Sequence, residues 1–137
     1  MSEQVQVKTA NSMPLVDFLT THDFLVEPLS DTLFQVTRNG EFPVMLKIAG
    51  GSMFFEVDLG NIAQVGNEDL YFQLLDLNTE ILPVSVGINR TNPADPKLVL
   101  VESRETKNLD ENELLSVFSA LEIATDKVAA VLADHVK

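Results

Sequence analysis

The chain contains no cysteine. Structural disulfides, thiolate nucleophiles and cysteine-ligated zinc are therefore excluded. Positive charge is also scarce: 9 basic residues stand against 21 acidic ones, a formal charge of −12. A field of that sign repels phosphate backbones, and the scattered cations form no basic stripe, which argues against a nucleic-acid role. No apolar run approaches the ~20 residues of a membrane span, and the opening residues lack a positive segment followed by an apolar one. The expectation is a cytoplasmic protein. The six glycines form neither a G-x-G-x-x-G nor a P-loop pattern, so those phosphate-cradling loops are absent.

What is present is apolar periodicity. Phe42, Val44, Leu46 and Ile48 alternate with Pro43, Met45 and Lys47. Beyond Gly50-Gly51, the residues Met53, Phe55, Val57 and Leu59 alternate with Phe54, Glu56 and Asp58. A period of two means a strand with one buried face. The Gly-Gly pair supplies the positive φ angles of a two-residue hairpin turn. The alternation assigns Phe42, Val44, Leu46, Ile48, Phe55, Val57 and Leu59 to a core. Met45, Lys47, Phe54, Glu56 and Asp58 fall on the opposite face.

Around this hairpin the remaining elements follow in order. Residues 1–11 read as a flexible polar arm, with Val5 and Val7 able to add to a sheet edge; residues 12–137 read as a single domain. Ser12 opens a short helix with Pro14 in its first turn. Strands near Phe24–Leu29 and Thr32–Thr37 precede the hairpin. Asn67 caps a second helix whose apolar stripe is Leu70, Tyr71, Leu74 and Leu75. A strand runs from about Pro83 to Thr91. The consecutive apolar residues Leu98-Val99-Leu100-Val101 then indicate a strand covered on both faces. Asp110 and Glu113 form a capping box, with Leu109 stapled to Leu114, at the start of a long helix from about Glu111 to Val136. Its wide apolar stripe favours packing on the protein's own sheet over a coiled coil. The expected fold is α+β: an antiparallel sheet of five to six strands with three helices largely on one face.

Reactive groups in useful arrangements are few. Glu56 and Asp58 point the same way from one strand, roughly 6–7 Å apart at their β-carbons for a rise of ~3.3 Å per residue. Paired carboxylates near that spacing can do acid–base work on a glycosidic bond. The wet face of an amphipathic strand accounts for them better, since Lys47 shares it. His22 and His135 lie near helix C-termini, where imidazolium suits the dipole, and have no metal-ligand spacing. Asp110, Glu111 and Glu113 suit a helix start and lack the pattern of a calcium loop. No catalytic residue, cofactor or metal site is expected.

The element order of helix, antiparallel strands, helix, two strands and long terminal helix resembles the fold of type III secretion chaperones and their relatives. Within it, Glu41-Phe42-Pro43-Val44, Leu82-Pro83-Val84-Ser85-Val86-Gly87-Ile88 and the capped helix from Asp110 resemble the YjfI-like bacterial family. That resemblance covers about residues 12–136 and brings no catalytic residues. It implies a small, acidic, cytosolic protein, and it makes a PspA/IM30-type membrane-associated coiled-coil protein a conceivable partner. The expectation is a non-catalytic protein-interaction or regulatory module. Its candidate surface is Met45, Lys47, Phe54, Glu56 and Asp58, on which an adaptable apolar patch is ringed by charge. The alternatives are cover by other segments or a homodimer on that face, a dimeric chaperone holding a secreted protein, and an enzyme using the carboxylates near Glu56.

Overall fold

A computed structural model describes residues 5–135. Six strands form one antiparallel sheet: β3 (Leu25–Pro28), β4 (Leu33–Thr37), β5 (Val44–Ala49), β6 (Ser52–Asn61), β7 (Ser85–Asn89) and β8 (Lys97–Glu105). Their spatial order is β3-β4-β5-β6-β8-β7. Two short strands, β1 (Gln6–Lys8) and β2 (Ser12–Pro14), pair separately. The helices are α1 (Leu15–Thr21), α2 (Glu68–Leu77) and α3 (Glu111–Ala133). The expected α+β fold, with its antiparallel sheet and three helices, is the observed one.

The hairpin forms as its alternation demands. Gly50 and Gly51 have φ of 58° and 79°, the left-handed pair that a tight turn between β5 and β6 requires. Register then places Leu46 opposite Phe55 and Val44 opposite Val57, all four buried. These residues join the buried side chains of all three helices in one core. Phe118 of α3 ties the layers together, with ring centroids 4.6 Å from Phe24 and 5.7 Å from Phe55. Seven residues of α3, from Leu114 to Val128, are buried, so this helix packs on its own protein.

Four expectations need correction. Phe42 precedes β5 and is 50% exposed; Pro43 beside it has no N–H for a ladder, so pairing starts at Val44. Met13 and Pro14 are extended and not helical. A residue before proline is pushed out of the α region, and Pro14 sits at the N-cap with ψ of 146°. The arm carries a strand, Gln6–Lys8, where it is described. Val7 is fully buried opposite Met13, and the Lys8 N–H donates to the Leu109 carbonyl at 2.8 Å. Residues 1–4 of that arm lie outside the described residues. Finally, α3 ends at Ala133 and not near Val136, a position that also lies outside them.

The caps follow the sequence in part. Asn67 Oδ1 accepts from the Leu70 N–H at 2.8 Å, and Asp110 Oδ1 from the Glu113 N–H at 2.8 Å. The Glu113 carboxylate is turned to Arg104, 3.6 Å away.

Candidate protein-interaction surfaces

Strand parity sorts the sheet into two faces. The helix-free face carries Leu33, Gln35 and Thr37 of β4, Met45 and Lys47 of β5, and Phe54, Glu56 and Asp58 of β6. Val99, Val101 and Ser103 of β8 and Ser85, Gly87 and Asn89 of β7 continue it. The five residues singled out from the sequence are therefore brought together on two adjacent strands, with Met45 opposite Glu56 and Lys47 opposite Phe54. Phe54 is 46% exposed, Lys47 and Asp58 are exposed, and Met45 and Glu56 are half-buried.

The two carboxylates have separate structural partners. Glu56 Oε2 accepts from Asn89 Nδ2 at 3.1 Å, a bond reaching across β8. Asp58 Oδ1 accepts from the Gly60 N–H at 2.8 Å, beside the irregularity that ends regular pairing of β6. Val99 lies between Asp58 and Gly87 in the ladder and is buried on this face. The double-sided burial expected of the Leu98–Val101 run thus holds without a helix on the outer side for its first three residues, while Val101 stays half-buried.

A groove of about 380 Å³ opens on the same face, where β7 begins. Val101 and Ser103 form its floor, with Phe54 and Glu56 along one side and Pro83 and Ser85 along the other.

The second surface was not legible in the sequence as a surface. Six of the ten residues of α2 are apolar, but only Leu70, Leu74 and Leu77 are buried. Tyr71, Phe72 and Leu75 face out; Phe72 is 71% and Leu75 69% exposed. Tyr71 and Leu75, expected in the buried stripe, are thus corrected to the outside. The reason is geometric: residues spaced by one and four positions around an α-helix spread over more than the arc one core can cover. The signal was the excess itself, since a ten-residue helix with six apolar residues cannot bury them all on one side. Gly66 leaves the space in which the Tyr71 phenol lies, for a β-carbon there would strike the ring. Between this helix and edge strand β7 runs an apolar groove of about 300 Å³, lined by Tyr71, Leu74, Leu75, Val86, Ile88 and Leu98 among others. Ile88 is exposed beside it.

Both histidines sit near helix ends. His22 occupies the C-cap of α1, its ring tilted against that of Phe18 with centroids 4.4 Å apart. His135 Nε2 lies 3.3 Å from Gln73 Oε1 and 3.7 Å from Asp69 Oδ2, linking the end of α3 to α2. Among the described residues, no three His, Asp or Glu side chains converge as metal ligands. No described helix is long and apolar enough to cross a membrane.

A six-stranded antiparallel sheet with three helices is the fold of the type III secretion chaperones. The likeness to solved structures agrees. SpcU–ExoU, the heterodimeric complex from the type III secretion system of Pseudomonas aeruginosa, contains a chain with TM-score 0.69 and 16% identity, over 85% of this chain and 96% of that one. The Yersinia pestis type III secretion chaperone SycH, in complex with a fragment of YscM2, has TM-score 0.57 and 18% identity, over 85% and 95% of the two chains. YbjN of E. coli, a putative transcription regulator in its structure's own description, has TM-score 0.58 and 13% identity, over 85% and 89%. No curated protein matches the chain in sequence. The chain belongs to the CesT_Tir_1 family of type III secretion chaperones, whose model matches residues 13–137.

Proposed function

We propose that this protein is a non-catalytic, dimeric binding module that holds a segment of another protein. The observation that carries the reading is the exposed apolar surface of α2 and β7. Tyr71, Leu75 and Ile88 present large side chains to solvent around one groove, and Phe72 is exposed on the same helix; such patches on soluble proteins mark protein contacts. The adjoining edge strand adds unpaired backbone groups that a second copy can cover. With self-association assigned to α2 and β7, the opposite sheet face around Met45, Lys47, Phe54, Glu56 and Asp58 is left for the held segment.

Family membership favours an exported protein as that segment, because the neighbours of this fold include a heterodimer and a chaperone bound to a protein fragment. The YjfI-like resemblance instead favours a PspA/IM30-type coiled-coil protein. Light scattering tests the shared premise. The wild type is expected at twice the monomer mass, and the double substitution of Phe72→Glu with Leu75→Glu at the monomer mass with unchanged circular dichroism. A wild-type monomer at micromolar concentration removes the dimer. Pulldown with each kind of partner then separates the two.

A further inference from the structure

We propose that the groove between Phe54 and Pro83 on the helix-free face takes a basic, amphipathic segment of a partner protein. This rests on the binding reading above and names the chemistry of the partner. The shape comes from residue size along the ladder. Ser103 stands opposite Phe54, and Val101 lies between Glu56 and Ser85. A small side chain beside a large one leaves the phenyl ring uncovered on the groove side. An incoming apolar side chain fills the gap over Val101 and Ser103, against a ring already held by its strand.

Charge selects what accompanies that side chain. Glu56, Asp58 and Glu105 lie on the groove's face from β6 and β8, and Lys47 is opposite Phe54 on β5. Lys97, on the same strand as the floor, is engaged with Asp95 at 2.9 Å. Arg104 points to the helix side and faces Glu102 and Glu113. The groove's surroundings are therefore acidic, on a chain of net charge −12. A lysine or arginine next to the inserted apolar residue meets Glu56; an acidic segment meets repulsion. The same field disfavours a second copy of this chain at the groove and disfavours an anionic lipid surface.

The probe is a short alternating lysine–leucine peptide titrated into the isotope-labelled protein, with its glutamate–leucine counterpart as the comparison. Amide shifts are expected at Phe54, Glu56, Ser85, Val101 and Ser103 with the basic peptide only, and added salt weakens them. Phe54→Asp abolishes the shifts, and Glu56→Lys weakens binding by about fivefold, the scale of one partly exposed ion pair. Glu56→Lys stands in if Phe54→Asp proves unfolded by circular dichroism. Equal binding of the acidic peptide, shifts confined to α2, or wild-type affinity of Glu56→Lys overturns the assignment. Failure of the dimer is read separately: a monomer that binds the basic peptide at these five amides loses only the α2 interface. A dimer with no shifts loses only this groove.

Discussion

Glu102 Oε1 lies 2.6 Å from Nη2 of Arg104, two residues further along the same face of β8. The Glu102 side chain is 1% exposed, and neither of its oxygens has a well-aligned hydrogen bond. Arg104 is drawn outward, with Nε 3.6 Å from Glu113 at the start of α3. One guanidinium thus spans a buried carboxylate and the first turn of the long helix. Burial raises the Glu102 pKa, and the Arg104 charge offsets part of that rise. The contact is electrostatic without good hydrogen-bond geometry, so it compensates desolvation only partly.

The first consequence is a pH dependence. A carboxyl whose folded-state pKa is raised binds more protons in the native state than in the unfolded one between the two values. Its contribution is therefore fully present below the unfolded-state pKa and is lost as pH rises through the folded-state one. Glu102→Gln removes this term. Urea denaturation should show the variant gaining stability relative to wild type at pH 7, with the gain shrinking toward pH 4. A variant less stable than wild type at pH 7 would show that the ion pair outweighs the burial cost.

Removing the other partner has the opposite sign. Arg104→Met leaves Glu102 buried without its cation and should cost about 1–3 kcal/mol at pH 7. In a Glu102→Gln background the same substitution should cost clearly less. The coupling between the two, read from a double-mutant cycle of denaturation midpoints, checks it. Strict additivity would mean that the 2.6 Å approach carries no energy.

Packing between the layers is concentrated on Phe118, which meets Phe24 and Phe55 across the core. Phe118→Ala is expected to cost about 3–5 kcal/mol through lost burial and the cavity left behind. Exposed Ile123 on the same helix serves as control, with Ile123→Ala within about 0.5 kcal/mol of wild type. Calorimetry distinguishes the two directly.

Much of the fold is legible residue by residue where one local rule decides. Gly50-Gly51 sets the turn, and the alternation on either side sorts Leu46 and Phe55 inward and Lys47 and Phe54 outward. Asn67 and Asp110 cap the helices that follow them. The rules fail where two compete. Phe42 continues the period of two but stands before Pro43, and the missing N–H ends the ladder first. Pro14 can start a helix, yet it forces Met13 to be extended, and that residue pairs with Val7. The candidate surface was legible in part: Met45, Lys47, Phe54, Glu56 and Asp58 share a face as strand parity requires. Its groove was not, because Val101, Ser103 and Ser85 reach Phe54 and Glu56 through pairings of β8 that no local window contains.

By itself, the sequence determined the direction each hairpin side chain takes, the helix starts, the acidic surface and the absence of thiol chemistry. These depend on covalent geometry and composition, which need no distant partner. Only the tertiary structure decided that Val7 is buried while Phe42 and Phe72 are exposed, and that Glu102 is dry beside Arg104. Burial is set by what another part of the chain places overhead: Leu109 meets the backbone of Lys8, while the surplus apolar arc of α2 extends beyond the core. The same surplus provides the proposed dimer face, and the same β8 register provides the groove.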